Sequence, residues 1–261
     1  KEGIRKKRIA TRMMRSGYND FMKRFTIIIV LLLSLFGIAD LFKPGFYSSH
    51  DGLGHVIRME EFYQAFNDGQ IPVRWSKRLY FGYGYPFFNF NYPSIYYFGV
   101  PLMKIGLSAA DAMKAEMMLT FVASGGLMFL YLRRKVRWQV AVLGAALYLY
   151  APYRMSNIYV RGSVAEAMAF IFPPLLLWGA ESLDNIRSVL WLSLVISLMG
   201  ISHNISTLLL SAFFFGYLGF LSLVKKSLWP VAKGSLAFGL GILMAAFFIV
   251  PDLYEKQWTC L

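Results

Sequence analysis

Cysteine and charged residues are both scarce in this chain of 261 residues. The single cysteine, Cys260, rules out an intramolecular disulfide and a thiolate metal cluster. Charged residues make up only 16% of the chain, whereas a soluble domain usually carries about 25%. The sequence also lacks a Walker loop, a G-x-S-x-G elbow and an H-E-x-x-H motif, so ATP-driven chemistry is not indicated.

The chain contains several long runs of apolar residues. Hydrophobic residues form 57% of the chain and aromatic residues 17%. Several runs approach the roughly 20 apolar residues that cross a bilayer as a helix. The sequence therefore predicts an all-α polytopic membrane protein with about seven transmembrane helices, at residues 25–42, 112–132, 138–152, 166–181, 189–202, 204–224 and 229–250.

Positive charge is concentrated before the first apolar run. The net charge is +13, and nine Lys or Arg residues lie within residues 1–24. The positive-inside rule places such a segment in the cytoplasm, where anionic membrane lipid rather than nucleic acid is the expected partner. We therefore predict a basic cytoplasmic N-terminal segment at 1–24, a transmembrane domain at 25–261 and an external loop at 43–92. Because the chain starts with Lys1 and stops just after an apolar segment, we expect it to be a piece of a longer protein.

A second basic cluster, at residues 133–137, constrains the topology. It also belongs in the cytoplasm, so an odd number of crossings must separate it from the external loop. The short apolar segment 93–107 contains Pro93 and Pro101, and we predict that it is a re-entrant helix that does not cross. The sequence thus predicts an integral protein of the cytoplasmic membrane.

Asp51 opens the external loop just before a predicted interfacial helix at 53–67. A carboxylate in this position either caps the helix, by accepting its first amide hydrogens, or acts as a general base or cation ligand. His50 and His55 flank it, but their spacing is not that of a zincin, so hydrogen bonding is the role we expect for them. If the protein uses a divalent cation such as Mg²⁺ or Mn²⁺, Asp51 is the expected ligand.

Two arginines lie in the predicted external stretch 151–166. Arg154 and Arg161 are suited to gripping phosphate oxygens, although interfacial arginines also extend toward lipid headgroups. Glu166 can pair with Arg161 only if Gly162 bends the chain between them. His203 stands in a tight connection between two predicted spans, where it serves either the turn or an external cavity.

Basic and aromatic residues alternate later in the external loop. Arg74 precedes an aromatic run that contains Tyr83 and Tyr85. Aromatic faces stack on sugar rings, but they also form interfacial belts in membrane proteins. Glycines and prolines interrupt this run, so we favour a ligand-facing surface over a belt.

The predicted topology gathers ionisable residues at one membrane face. Ionisable groups at membrane depth are costly and are functional hypotheses by default. Convergence of several on one side is a stronger signal than any one alone, and the residues are Asp51, Arg154, Arg161, Glu166, His203 and Asp252.

The order of these features resembles the GT-C superfamily of glycosyltransferases, which use polyprenyl-phosphate sugars. The residues of the motifs resemble, more narrowly, those of the bacterial and archaeal 6-pyruvoyl-tetrahydropterin-synthase-related membrane protein family. The stretches that carry the resemblance are residues 50–55, 69–75, 81–86, 151–154, 159–162 and 202–204.

This resemblance implies transfer of a sugar from a lipid-phosphate donor to an acceptor at the extracytoplasmic face, in assembly of the cell envelope. Asp51 would be the general base or metal partner, and Arg154 and Arg161 would hold the donor phosphate. Many GT-C proteins carry a second acidic residue beside the first, whereas here Asp51 stands between His50 and Gly52. The alternatives are a transporter or flippase for a lipid-linked precursor, and a non-catalytic membrane subunit. No protein partner is indicated by the sequence.

Overall fold

The protein is built from α-helices in the computed structural model, which describes residues 25–259. Within that range no β-sheet forms, and a single antiparallel bridge joins Ser76 to Tyr85. The basic segment predicted at 1–24 and Cys260 lie outside the described residues.

The helices follow one another closely along the chain. In order they are α1 (Phe25–Gly37), α2 (Gly52–Asn67), α3 (Phe87–Phe90), α4 (Ser94–Lys104), α5 (Ala109–Arg133), α6 (Trp138–Leu149), α7 (Pro152–Ser156), α8 (Val164–Ala169), α9 (Phe172–Glu181), α10 (Ile186–Gly200), α11 (Asn204–Lys225), α12 (Trp229–Met244) and α13 (Ala246–Glu255). A π-helical turn spans Asn157–Arg161, and 3₁₀ turns span Ala39–Phe42 and Lys256–Trp258.

Three segments of the described chain are long and apolar enough to cross a membrane. They are α5, the combined segment Val164–Glu181, and α11, and they match the spans predicted at 112–132, 166–181 and 204–224. The helices α1, α6 and α10 are apolar but shorter. The protein is therefore a helical membrane protein, and residues 25–259 contain three candidate spans, or four if α12 and Ala246–Trp258 form one bent span.

The span predicted at 229–250 is not a single straight helix. α12 and the segment Ala246–Trp258 meet at an angle of 71°. Pro251 lies inside α13, where it cannot donate the usual hydrogen bond to the carbonyl of Phe247. The Nη2 of Arg74 donates to that carbonyl instead, at 3.1 Å. The external loop thus supplies the partner that the proline removes.

The segment predicted to be re-entrant forms the short helix α4. It has 11 residues, and Pro101 lies inside it. α4 packs against α2 and α5, and its buried residues include Ile95 and Tyr96. Packing against protein is what a re-entrant helix needs, and the re-entrant course of this segment stays a prediction.

The helix predicted at 53–67 forms as α2, but the predicted faces need correction. The spacing of apolar residues predicts one face with Leu53, Met59 and Phe62 and an opposite polar face with His55 and Glu61. Met59 and Phe62 are fully buried as expected. Leu53 from the same face is exposed, whereas His55 and Glu61, from the predicted polar face, are buried. Both polar residues have charged or polar neighbours, which for His55 are Arg58, Asp51 and His203. Glu61, for example, accepts a hydrogen bond from Ser76 and pairs with Arg78.

Three apolar clusters hold the described helices together, and the smallest joins Val30, Phe129, Ala141 and Ala145. In the first, the ring of Phe62 stacks on Tyr96 and meets Phe88 edge-on, at centroid distances of 5.2 and 5.0 Å. The second lies among α9 to α12, where Gly241 lets α12 approach α10 closely. A Cβ on Gly241 would lie 2.8 Å from the carbonyl oxygen of Ser193. Small residues at such contacts are typical of helix packing in membranes.

Candidate functional site

Two connecting segments dock at the start of α2 and place Asp51 beside Arg161. The backbone N–H of His50 donates to the carbonyl of Val160 at 3.1 Å, and that of Asp51 donates to the carbonyl of Arg161 at 2.8 Å. Glycine permits this approach, because a Cβ on Gly162 would lie 3.3 Å from the Cα of Gly52 and would also contact a serine hydroxyl. The position of Asp51 is therefore set by backbone contacts.

Asp51 occupies the N-cap position of α2, yet its side chain accepts no cap hydrogen bond. Its own backbone is already helical, with φ −109° and ψ −17°, which is not the extended geometry of a side-chain cap. The carboxylate is 47% exposed, and its Oδ2 lies 3.9 Å from Nη2 of Arg161. Of the two roles that the sequence leaves open, side-chain capping is not the one observed.

Glu166 holds Arg161 from the other side. The two residues form an ion pair. Gly162 bends the chain between them with a φ of +67°, which is the condition that the sequence set for this pair. Tyr153 donates a hydrogen bond to the same carboxylate, and this bond raises the pKa of the tyrosine. Burial alone would lower the pKa of Arg161, but Glu166 keeps it above its ordinary value. Arg161 is a permanent cation shared by two carboxylates.

His55 and His203 both face this region as neutral rings. Burial and the charge of Arg58 lower the pKa of His55 to about 4, although Asp51 opposes the shift. Burial also lowers the pKa of His203. The Nδ1 of His203 accepts a hydrogen bond from the backbone N–H of Ser206 at 3.2 Å, so Nε2 carries the ring proton. His203 thus caps α11 and still presents one donor.

Arg58 and Tyr92 complete the site, and neither was predicted from the sequence. Tyr92 lies within electrostatic reach of Arg58, Asp51 and Arg161, and its ring contacts His203 at a centroid distance of 5.2 Å. Burial raises the pKa of Tyr92. Spacing could have identified Arg58, because residues four and seven positions after Asp51 share its face of a helix. We define the charged cluster as Asp51, His55, Arg58, Tyr92, Arg161, Glu166 and His203.

Arg154 lies apart from the charged cluster, contrary to its expected place at a phosphate site. It is only 1% exposed, and its guanidinium lies over the rings of Phe121, Tyr148 and Phe170, 4.4–5.3 Å from their centroids. One nitrogen donates to Ser124 in the middle of α5. Nε and Nη1 find no hydrogen-bond partner within residues 25–259. The inward face of α7 therefore gives Arg154 an interior position, enclosed by aromatic rings.

Arg74, Tyr83 and Tyr85 also lie elsewhere. Arg74 donates to Asn89 at 2.6 Å and to the carbonyl of Phe247, so it joins the external loop to α13. Tyr85 is half-buried, pairs with Ser76 through two backbone hydrogen bonds and stacks on Tyr80. Tyr83, at the tip of that hairpin, is 85% exposed. His50 is exposed and contributes its backbone N–H, not its ring, to the contacts described above.

The charged cluster does not fit a divalent cation. Among residues 25–259 no group of three His, Cys, Asp or Glu side chains could hold a metal ion. The cationic head of Arg161 lies between Asp51 and Glu166, in the space that a cation would need. A fixed guanidinium neutralises these carboxylates instead, so no step is assigned to Mg²⁺ or Mn²⁺.

An apolar cavity of about 480 Å³ adjoins the charged cluster. Ser94, Met168 and Ser202 line its near end. Each lies only one or two positions along the chain from a member of the cluster, namely Tyr92, Glu166 or His203. A polar site and an apolar cavity therefore meet at one place in the fold.

Comparison with known proteins gives a family but no activity. The chain is 24% identical over 238 residues to an uncharacterized protein of Lactococcus lactis subsp. cremoris (strain MG1363), a match that covers 87% of this chain. The chain spans only 39% of the length of that relative. A family model described as 6-pyruvoyl-tetrahydropterin synthase related domain, membrane protein, matches residues 88–261. This range holds Tyr92, Arg161, Glu166 and His203, whereas Asp51 precedes it. The chain belongs to this 6-pyruvoyl-tetrahydropterin synthase related family of membrane proteins.

Proposed function

We propose that the chain is the catalytic part of a GT-C-type membrane glycosyltransferase that uses a polyprenyl-phosphate sugar as donor. The observation that carries the proposal is the half-exposed carboxylate of Asp51, which is free of capping and lies 3.9 Å from Arg161. Asp51 can take a proton from an acceptor, and the neighbouring Arg161 can bind a phosphate. This transfer needs both a base and a cation.

Asp51 acts as the general base in this proposal. Its carboxylate takes the proton of an acceptor hydroxyl or amine as that group attacks the anomeric carbon of the sugar. The bond between this carbon and the phosphate oxygen breaks, and its electron pair stays on the phosphate. Polyprenyl phosphate leaves with one more negative charge than it had in the donor.

Arg161 and Arg58 stabilise that developing charge. Arginine binds phosphate oxygens through a planar set of donors and keeps its charge at any working pH. His203 supports them by offering Nε2–H as an uncharged donor. Burial keeps His55 and His203 neutral near pH 7, so they do not neutralise the base. Stabilisation of charge as it develops is usually the largest contribution to catalysis.

The arrangement of charge supports an extracytoplasmic site. The loop that leads to Asp51 contacts the N-terminal half of α5, where Lys114 donates to the carbonyl of Lys43 at 2.8 Å and the hydroxyl of Tyr47 lies 3.6 Å from the sulfur of Met117. The basic residues 133–137 lie at the other end of that helix. Basic clusters mark the cytoplasmic side of a membrane protein. We therefore propose a cytoplasmic N-terminus and about seven crossings, in which α1, α6 and α10 cross together with the longer helices.

A transfer assay on membranes that contain the full-length protein tests the proposal. A polyprenyl-phosphate hexose with a radiolabelled sugar is the donor probe, and transfer to endogenous acceptors or to water is counted. We expect Asp51→Asn to lower transfer at least about 100-fold, the range typical of a lost general base. Asp68→Asn removes an exposed carboxylate at the other end of α2, and we expect it to retain transfer.

Two results would count against the assignment. Full transfer by Asp51→Asn would remove Asp51 as the base, whatever its effect on stability. No transfer by the wild type, combined with movement of the labelled lipid across proteoliposomes, would favour a translocation function over transfer.

A further inference from the structure

The apolar cavity beside the charged cluster contains one group that none of the proposed chemistry uses. Glu116 of α5 lines it and is 3% exposed. Neither of its carboxylate oxygens has a hydrogen-bond partner among the described residues 25–259. An ionisable residue inside a membrane helix points to function, and its partner has to be identified.

The other polar groups along the cavity are already satisfied. Ser94 donates to the hydroxyl of Ser202 at 3.1 Å, and Ser202 donates to the carbonyl of Leu198 at 2.6 Å. Thr120 donates to the carbonyl of Met117 at 3.1 Å. Glu116 is therefore the lining side chain that has hydrogen-bonding capacity to offer a ligand.

The surroundings of Glu116 decide its protonation state. A lone carboxylate in an apolar cavity is unstable, and such a group keeps its proton unless a cation pairs with it. No ion pair of Glu116 forms with the described residues. The side chain then offers one O–H donor to a ligand that is otherwise apolar.

The cavity is accessible from the side that faces the bilayer. Phe98 and Leu119 line it, and both are among the exposed large hydrophobic residues. Glu116 lies seven residues into α5, which is about 10 Å along the helix axis. A ligand from the bilayer would therefore enter between α4 and α5, with its polar end toward the charged cluster.

We infer that this cavity binds a membrane lipid with ester-linked acyl chains, and that Glu116 donates a hydrogen bond to an ester carbonyl. An acyl ester carries carbonyl oxygens just below its head group and apolar chains beyond them. A polyprenyl chain carries no polar atom below its phosphate, so it would fill the cavity but leave Glu116 unpaired. Lipid binding here does not depend on the proposed sugar transfer.

Photolabelling with matched lipids tests this inference on wild-type protein. The probes are phosphatidylglycerols with a diazirine in one chain, either ester-linked or ether-linked, added to proteoliposomes of the full-length protein. Labelled peptides are mapped by mass spectrometry. We expect label on α4 and α5, with the ester probe favoured about 2- to 10-fold, the value of one hydrogen bond.

Variants separate the hydrogen bond from the shape of the cavity. Glu116→Gln keeps a donor of similar size, and we expect the preference for the ester to persist. Glu116→Leu removes the donor, and we expect the two probes to label equally.

Two outcomes would overturn the inference. One is equal labelling by the ester and ether probes in the wild type, and the other is the absence of label on α4 and α5. Because labelling is read without sugar transfer, failure here and failure of the proposed function are distinguishable.

Discussion

Asp51 and Arg161 are joined twice, once through the backbone and once through their side chains. The N–H of Asp51 donates to the carbonyl of Arg161 at 2.8 Å, and the carboxylate faces the guanidinium at 3.9 Å. The backbone hydrogen bond fixes the positions from which the two side chains extend. The distance of 3.9 Å between the charged groups leaves space between the carboxylate and the guanidinium. The pair is positioned, yet it is not closed into a tight salt bridge.

The glycine at the docking point provides a test of this positioning. We expect Gly162→Ala to destabilise the protein by about 1–2 kcal/mol, because its φ of +67° disfavours any residue with a Cβ. The new Cβ would also contact Ser49. Thermal unfolding in detergent measures the change. Gly216→Ala, in α11 with open space around it, is the control, and stability equal to or above wild type is expected there.

Replacing Arg161 by lysine tests the phosphate site. Lysine keeps the charge but loses the planar fork that serves two anions at once, so we expect polyprenyl phosphate to bind about 10-fold more weakly. Competition against a fluorescent polyprenyl-phosphate analogue in nanodiscs gives the affinity. Arg187→Lys, at an exposed position in α10, should bind like wild type. Unchanged affinity in Arg161→Lys would remove this residue from the phosphate site.

The lowered pKa of the buried His55 predicts that the free energy of unfolding depends on pH. The pKa of His55 is about 4 in the folded protein against an ordinary value of 6.5, so between these values the unfolded chain binds more protons. The free energy of unfolding should therefore be highest above pH 6.5. It should fall by up to roughly 3 kcal/mol as the pH drops toward 4.

Two histidine variants measure that contribution. Thermal unfolding between pH 7 and pH 4.5 should show a shallower decline in His55→Gln than in wild type. His50→Gln, whose exposed side chain flanks Asp51 from the other side, should decline as wild type does. Parallel curves for all three proteins would refute the assignment to His55.

The contact between Arg74 and the bent helix can be tested by a double-mutant cycle. Arg74→Met should lower stability, because the carbonyl of Phe247 loses its donor. Pro251→Ala restores a backbone N–H that can reach the same carbonyl, so the loss should be smaller in that background. We expect a coupling energy of about 0.5–1.5 kcal/mol from thermal unfolding of the four proteins. If the effects of the two substitutions on stability are strictly additive, the Arg74 side chain and the restored backbone N–H do not share the carbonyl of Phe247.

The sequence predicted features that depend on local chemistry. α2 ends at Asn67, the predicted end of this helix, because the following Asp68 and Gly69 favour chain reversal. Three long apolar runs became the three candidate spans. The pair of Arg161 and Glu166 formed through the bend at Gly162. Each of these depends on residues close together in the chain.

Features that depend on tertiary contact escaped prediction. Nothing in the local sequence shows that α7 turns Arg154 inward onto α5, where aromatic rings replace solvent. The contact between Arg74 and α13 likewise joins residues that are far apart in the chain. Glu116 could have been noticed, since a carboxylate within an apolar span is unusual. Its importance became visible only with the cavity.

The ion pair between Arg161 and Glu166 has a consequence for how any anion binds. An arriving phosphate meets a guanidinium that already has carboxylate partners, so binding is an exchange of one anion for another. The affinity is then the difference between two ion pairs and not the full strength of either. After the phosphate departs, Glu166 can resume its place without waiting for solvent ions. Such a site releases a charged product readily, which suits the proposed transfer, because its lipid carrier would have to return to the bilayer after every cycle.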